Sequence, residues 1–407
     1  MKQKGEGNMS EKVTVHYPEY YSKFACVGSR CEDTCCANWQ ISADPASLNR
    51  YRREKGPFRK QLHAGMNLRT GMFHMKDGRC PFLNGENLCE MYIRTGKDSL
   101  CKTCRDFPRH VEDYGYLKEI GLSLACPEAA RLILSGNGKD LRMKTKTVKA
   151  VSPIDNEEFL DFLLKLRDVF FYLLEYGTVP GQEEEPSMRL KTAMILSLAR
   201  DVQRRLDRGE EGPVELFGRY TKKGVFEKYA VRLEDYLLGS VRRTENGLGL
   251  QVVPEKVHEI RGVVLKYLDA IEELEPVSEK WRHLTKECRM WLERADQTEL
   301  LSSGRFLEDN MLEALLTYYL YSWLLGAVYD GEPYTQVKMA VVSCILVEVV
   351  CRYLWTGKGE KRELLVYVSH LWARELEHSD ANLGKMEDLL WGDGRFSFEK
   401  MLCCILF

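Results

Sequence analysis

Beyond Val151 the apolar residues return every three or four positions. Phe159, Phe162, Leu163, Leu166, Val169, Phe170 and Leu173 follow this spacing after an acidic start at Asp155-Asn156-Glu157-Glu158, where negative charge suits a helix N-terminus. The same spacing predicts helices over about 188–207, 213–239, 254–274, 278–296, 305–329, 333–355, 360–378 and 383–392. Glycine and proline divide them at Gly177 to Pro186, Asn246 to Gly249, Gly331-Glu332-Pro333 and Gly357-Lys358-Gly359. No fixed-period repeat relates the segments, so residues 151–407 read as one all-helical domain. The run Ala314 to Tyr329, 16 residues long, is shorter than the roughly 18 to 20 that cross a bilayer and is expected as a buried helix, not a membrane insertion. The apolar end, Phe396 to Phe407, is expected to tuck against the core or a partner.

The first third of the chain has a different texture. Residues 1–14 are polar and read as a flexible leader, and no apolar run of signal-peptide length follows. Tyr17, Tyr20, Tyr21 and Phe24 lead into Cys26-Val27-Gly28-Ser29-Arg30-Cys31, where Gly28 and Ser29 favour a turn that folds Cys26 back toward Cys31. Cys31 and Cys35, at i and i+4, would share one helix face, whereas Cys35 and Cys36 diverge by about 100° and can serve one ion only on irregular backbone. Asp44-Pro45 opens a predicted helix that runs through Leu48 and Tyr51 to Lys55 and stops at Gly56-Pro57. Ala64 to Gly78 reads as a hairpin or loop. The predicted fold class is mainly α: an irregular cysteine-rich module over 15–150, metal-binding and holding the active site, packed on the larger C-terminal helical bundle.

Composition changes this picture little; the cysteines change it a great deal. The 59 basic and 61 acidic side chains are mixed, net charge is −2, and the balance leaves no electrostatic footprint for nucleic acid. The one basic cluster, Arg50, Arg52, Arg53, Lys55, Arg59 and Lys60, is expected as a solvated helix face, the sharper alternative being a dock for an acidic partner. Of 14 cysteines, nine fall between Cys26 and Cys126. With nothing sending the chain out of a reducing cytoplasm, disulfides are not expected and a shared metal centre is. Cys101-Lys102-Thr103-Cys104 has metal-knuckle spacing, and the proline after Cys80 and after Cys126 echoes the Cys-Pro that closes ferredoxin motifs. Zinc often takes two CxxC knuckles, which are not both present; an iron–sulfur cluster tolerates irregular spacing. His63, His74 and His110 are possible substitute ligands. The radical C-x3-C-x2-C motif fails because Asn38 stands where its third cysteine belongs. Cys288, Cys344, Cys351, Cys403 and Cys404 are expected as small buried apolar side chains.

These blocks carry a resemblance. Phe24-x-Cys26, Cys31, Asp33-Thr34-Cys35-Cys36, Trp39, Cys80-Pro81-Phe82-Leu83, Leu88-Cys89, Cys104 with Pro108-Arg109, and Cys126-Pro127-Glu128 look like the bacterial flagellin lysine N-methylase family, over about residues 15–135. The opening is also similar to a broader group with a CxxCxxCC motif, here spaced C-x4-C-x3-CC instead. The resemblance implies transfer of methyl groups from S-adenosylmethionine to lysine ε-amines of flagellin, and an iron–sulfur cluster, a 4Fe-4S type with zinc as the alternative. Its ligands, carried over residue by residue, are Cys26, Cys31, Cys35, Cys36, Cys80, Cys89, Cys104 and Cys126; Cys101 lies outside the pattern. One cluster with structural thiols and two separate centres both stay open.

The chemistry sets demands of its own. A lysine amine with a pKa of about 10.4 must lose a proton and align in line with the methyl carbon and the sulfonium sulfur. Glu128, Asp33 and Asp106 are the candidate bases near the metal region, against plain roles as caps or ion-pair partners. Trp39, Tyr20 and Tyr21 are candidates to stack on the cofactor's adenine or enclose a methylammonium, against core packing. No Gly-rich strand-to-helix turn appears: Gly5-Glu6-Gly7 is in the leader, and Gly247-Leu248-Gly249 opens no phosphate-binding helix. An enzyme of non-Rossmann type is therefore one reading. The other is a non-catalytic, metal-stabilised protein-binding or redox-sensing module for flagellar or other partners. A nucleoside-deep cleft would favour the first and a shallow groove on the helices the second.

Overall fold

A computed structural model describes residues 11–136, 141–148, 156–176, 185–237, 239–302 and 304–406. Within it, four strands frame the cysteine-rich segment: β1 (Glu11–Pro18), β2 (Arg109–Tyr114), β3 (Leu117–Leu122) and β4 (Leu141–Val148). Their order is β2-β3-β1-β4, with β1 parallel to β3 and the other pairs antiparallel. In β1 alternate residues Val13 and Val15 turn inward onto Ile120 of β3. Edge strand β4, Leu-Arg-Met-Lys-Thr-Lys-Thr-Val, is largely solvated, as a lysine-rich edge should be. A parallel pair needs a long crossover. Here residues 19–108 supply the excursion, and nearly all the clustered cysteines ride on it. Residues 11–14, expected in a leader, are the first half of β1, while residues 1–10 lie outside the described residues.

The excursion carries short helices α1 (Pro45–Arg52), α2 (Arg59–Ala64), α3 (Glu90–Thr95) and α4 (Lys102–Asp106). Asp44 caps α1 by accepting from Ser47 N at 3.0 Å and also accepts from Lys102 N at 2.8 Å, which ties α1 to α4. Ile41, Tyr51, Phe58, Leu62, Phe73, Phe82 and Met91 make a small core of their own here. The expected basic face is partly consumed in the fold. Arg50 donates to the carbonyls of Ser99 and Leu100, and Arg52 to that of Leu68.

After α5 (Pro127–Ile133) come α6 (Glu157–Glu175), α7 (Met188–Leu206), α8 (Phe217–Tyr220), α9 (Val225–Tyr236), α10 (Val257–Ile271), α11 (Glu279–Arg294) and α12 (Gln297–Ser302). They are followed by α13 (Asp309–Trp323), α14 (Ala327–Asp330), α15 (Pro333–Leu354), α16 (Lys361–Glu377), α17 (Asp380–Gly392) and α18 (Phe398–Leu406). The fold is mainly α. Helix α15 is apolar nearly all round and buried over most of its length, the mark of a central helix, and α7, α11, α13, α16, α17 and α18 pack on it. The stretch Asp309–Asp330 is long and apolar enough to cross a membrane by composition, but 78% of its most apolar window is buried in this core. The end of the chain tucks in as expected, with Met401, Leu402, Cys404, Ile405 and Leu406 buried. Two features differ from the helical expectation: 213–239 breaks at Thr221–Gly224, and Asn246 to Gly249 joins a hairpin of β5 (Val241–Arg243) and β6 (Leu250–Val252).

The main core does not stop at residue 151. Tyr20, Phe24, Leu117, Leu122, Ala129 and Ile133 belong to the same buried cluster as the bundle. The expected boundary itself falls at 149–155, outside the described residues. Across this junction Glu119 of β3 accepts two hydrogen bonds from Arg167 of α6, at 2.6 and 2.7 Å, both side chains nearly inaccessible. Removing Arg167 with methionine strands a buried carboxylate, with only His16 at 3.5 Å. We expect a loss of about 3–5 kcal/mol in urea unfolding, most of it recovered when Glu119 is also made apolar.

A pH effect follows from Glu375 in α16, which is 3% exposed and accepts from Val277 N at 3.0 Å and Ser278 N at 2.7 Å. Burial raises its carboxyl from 4.5 to about 7. Between those values the folded chain holds a proton that the unfolded chain releases. Stability from this group is therefore greatest below about pH 4.5 and declines as pH rises toward 7, by up to about 3 kcal/mol. Urea titrations across that window should show the decline, and Glu375→Gln should flatten it.

Candidate metal centre and active site

The thiol loop has almost no regular structure, and local polar contacts explain its path. A short 3₁₀ turn at Gly28–Arg30, with Gly28 at φ +58°, brings Cys31 N to the Gly28 carbonyl at 3.0 Å, as the Gly-Ser pair predicts. Asp33 Oδ1 accepts from Thr34 N at 2.7 Å, and Thr34 Oγ1 accepts from Cys36 N at 3.2 Å. Cys31 and Cys35 are therefore not on one helix face, contrary to their spacing. Side chain–backbone bonds have replaced the helix ladder there. The irregular backbone that the Cys35-Cys36 pair demanded is what forms.

Further bonds gather the remaining cysteines. Cys80 N donates to the Cys36 carbonyl at 2.8 Å, and Asn38 N, from a residue at φ +66°, donates to the Gly78 carbonyl at 2.7 Å. Leu83 bridges to Cys89, which precedes α3. Cys101 immediately precedes α4 and Cys104 lies in its first turn, while Cys126 precedes Pro127 of α5. All nine are free thiols. Cys126 belongs to the main core; Cys80 and Cys101 belong to the small core, with Cys36, Cys89 and Cys104 packed against it.

Cys35 stands between the two groups. Its thiol is pushed up by Cys36 and by burial, and its charge in turn raises Cys31, Cys80, Cys89 and Cys126, each of which burial raises first. Cys80 and Cys126 are both pushed up to about 12. Cys104 is raised by its neighbour Cys101, which is itself held down to about 7 by the Cys104 thiol. Cys101, outside the family pattern, is thus a full member of the group, and its CxxC spacing was the signal. Among the described residues no three His, Cys, Asp or Glu side chains stand together at ligand distance. The donor chemistry nonetheless suits a thiolate-bound metal: reduced, largely sheltered sulfurs whose anions repel one another unless a cation sits among them. The histidines are elsewhere engaged. His63 bonds the Tyr51 carbonyl at 2.9 Å, His74 that of Ala64 at 3.1 Å, and His110 packs on Gly121, held down to about 4 by burial.

Helix α16 grips the loop. Asp33 Oδ2 accepts from His370 Nε2 at 2.8 Å and Arg374 Nη1 at 2.9 Å, and Arg374 also donates to the carbonyls of Thr34, at 3.2 Å, and Ala37. Burial alone would raise the Asp33 carboxyl; the His370 hydrogen bond and the Arg374 charge hold it well below the usual carboxylate range. His370 and Arg374 are 2% and 1% exposed. Nothing in the sequence singled them out, because two buried polar residues on an apolar helix carry no motif.

The candidate bases sit in ion pairs. Asp33 is the loop's anchor; Asp106 lies 3.2 Å from both Lys102 and Arg105; Glu128 lies 3.6 Å from Arg131, which also holds Glu32 and Glu363. Of the candidate stacking rings, Trp39 donates to the Cys35 carbonyl at 2.8 Å and stacks on His378 at 4.5 Å, with Phe107 5.6 Å from His378. Tyr20 is buried, and Tyr21 meets Tyr17 edge-on with Arg109 over its ring at 5.8 Å. Among the described residues no ring contact joins Trp39 to either tyrosine. His378 has both ring nitrogens buried without a hydrogen-bond partner, and burial drives it down to about 3.

Beside it, sequence reasoning missed Glu377, the last residue of α16. It accepts from Ser123 Oγ and from Tyr318 OH at 2.9 Å; Tyr318 OH accepts from Leu124 N at 3.2 Å, and Ser123 Oγ from Ala125 N at 3.0 Å. Burial raises Glu377 to about 7. Its charge raises the Tyr20 and Tyr318 hydroxyls, both already raised by burial. A shallow open depression of about 480 Å³ at the end of α17, lined by Lys385, Asp388 and Asp393, and an interior cavity of about 20 Å³ beside Arg189 and Glu348 include none of the candidate residues.

Comparison with known proteins places the chain in a family. A family model, the FliB lysine N-methylase C-terminal domain, matches residues 182–404. Over 134 residues the chain is 31% identical to the lysine-N-methylases of Salmonella typhimurium and Salmonella choleraesuis, a stretch covering 31% of this chain and 33% of each of theirs. It is equally similar to the flagellar biosynthetic protein FliU of Salmonella muenchen, over 79% of that protein. The match thus spans about a third of the length of the curated lysine-N-methylases. No solved structure matches the chain. The family model covers more than half of the 407 residues, and the chain belongs to the FliB lysine N-methylase family.

Proposed function

We propose that this protein transfers methyl groups from S-adenosylmethionine to lysine ε-amines of flagellin. Its family membership is the observation that carries the reading, and the relatives' names, lysine-N-methylase and flagellar biosynthetic protein, supply the reaction and the substrate class. The methyl-donor site is not of the doubly wound type in this proposal, a view supported by a four-stranded sheet with a single parallel pair. We place the protein in the cytoplasm, where its free thiols stay reduced.

We further propose an iron–sulfur centre held by Cys26, Cys31, Cys35, Cys36, Cys80, Cys89, Cys104 and Cys126, with Cys101 alongside. Such a centre would supply charge neutralisation among the thiolates and a fixed crosslink between the thiol loop, the small core and α5. The protein's own residues set that crosslink in place: Asp33, His370 and Arg374 fix the loop, and Trp39 closes it against Phe107 and His378.

The test is mass spectrometry of flagellin incubated with the protein and S-adenosylmethionine. Lysine-containing peptides that gain methyl increments only with both present support the proposal; flagellin bound but unmodified at every lysine would leave a metal-stabilised binding module instead.

A further inference from the structure

We infer that Glu377 is the general base of the transfer: its carboxylate receives the incoming lysine ε-ammonium and takes the proton that must leave before the nitrogen can attack. The inference rests on the lysine-methylation reading and deepens it by naming the group that activates the amine. Three observations lead to it.

The first is charge. The Glu377 carboxylate takes hydrogen bonds from two neutral donors, Ser123 of the turn before α5 and Tyr318 of α13, and among the described residues no lysine, arginine or histidine pairs with it. The titratable groups facing it are phenols: Tyr20, Tyr318 and Tyr319. A sheltered carboxylate without a cation is costly. Its counterpart Asp33, in the thiol loop, has the guanidinium of Arg374 beside it as well as His370. Among the described residues Glu377 has no such charge partner.

The second is position. Glu377 ends α16, where the helix dipole already places partial negative charge, so an anion is disfavoured there and a cation favoured. Residues that break a local rule of this kind concentrate at functional and strained sites. The third is access. Tyr20 is 4%, Tyr318 2% and Ser123 9% exposed, whereas Glu377 is only half-buried, the least enclosed residue of the four. In this proposal a long, slender side chain such as lysine approaches the carboxylate from that less enclosed side.

The chemistry balances. The ε-ammonium gives one proton to the Glu377 carboxylate, which becomes the acid. The freed nitrogen lone pair forms a bond to the methyl carbon as the carbon–sulfur bond of the sulfonium donor breaks, leaving a neutral thioether and a methylammonium. The Glu377 proton then passes to water. A carboxyl raised to about 7 holds that proton far better than an ordinary glutamate would, which narrows the gap to the amine.

The experiment compares the metal-loaded wild type with Glu377→Gln, Glu377→Asp and Tyr318→Phe, following label transfer from S-adenosylmethionine to flagellin between about pH 6 and 10. Wild-type rates should climb through about pH 7 and level off. Glu377→Gln should lose about 10²- to 10⁴-fold in kcat at neutral pH, recover toward the alkaline end as the substrate amine loses its own proton, and keep its metal content. Glu377→Asp should retain part of the activity, and Tyr318→Phe, having lost a donor to the carboxylate, should move the acid limb to higher pH. Independently of turnover, Glu377→Gln should be the more thermostable protein above pH 7, since it no longer shelters an anion. A wild-type rate and profile in Glu377→Gln, or, should that variant not fold, an unmoved acid limb in Tyr318→Phe, overturns the inference while leaving the methylation reading standing. Wild-type protein that holds its metal yet transfers no label overturns both.

Discussion

Replacing Arg374 with alanine is expected to release the thiol loop from α16 and to lower stability by about 3–5 kcal/mol, because it strands a buried partner of opposite charge and two loop carbonyls. Arg374 is 1% exposed and reaches Asp33, Thr34 and Ala37 at once. With it gone, Asp33 keeps His370 and the Thr34 N–H but no guanidinium, and the carbonyls of Thr34 and Ala37, which flank Cys35 and Cys36, lose their donor. Thermal unfolding and metal content should fall together. Arg374→Lys keeps the charge but has no planar fork to span carboxylate and carbonyls, so it should hold Asp33 and still lose metal. Unchanged metal content in both variants would mean that the loop positions its thiols without α16.

The second large effect is expected at Cys35. It is the thiol between the group leaning on the main core and the group leaning on the small one, and its charge is felt by Cys31, Cys80, Cys89 and Cys126. Cys35→Ser should reduce bound metal by about tenfold or more and carry methyl transfer down with it, since serine is a poor ligand for a soft centre. Cys101→Ser should also reduce metal, although Cys101 is not in the family pattern, because it lies against Cys104 and is fully buried. The control is Cys404→Ser in α18, which should cost about 1–3 kcal/mol of stability as a buried hydroxyl replaces a thiol and leave metal content untouched. Metal loss confined to Cys104 and Cys101 would instead identify a single small centre in the α4 region.

The helical two-thirds were legible because a helix buried on one side repeats its apolar residues, and α6, α7, α10, α11, α15 and α16 fall within a few residues of where that repeat places them. The sheet was not. β1 and β3 are neighbours only because a crossover of about ninety residues returns, and β4 has a solvated face with too few apolar positions to register as a strand. At the site, the crowding of the cysteines was readable in the chain itself, whereas the ligand set and the place of Trp39 beside it were what the family resemblance implied. Asp33 was readable as important but not in its role: a carboxylate becomes an anchor, not a base, when a buried arginine from residue 374 meets it, and that pairing is visible only in three dimensions. Glu377 and His378 carry no motif; their meaning lies in what the fold withholds from them, a cation for one and a hydrogen-bond partner for the other.

The measurement that tests the account most directly is metal and sulfide analysis of the protein purified without oxygen, with its visible spectrum, alongside the Cys35→Ser and Arg374→Ala variants. A coloured protein with about four irons and matching sulfide per chain is expected, both lost in the two variants. Colourless wild-type protein without iron, or with iron that survives the loss of Cys35 and of Arg374, would contradict it.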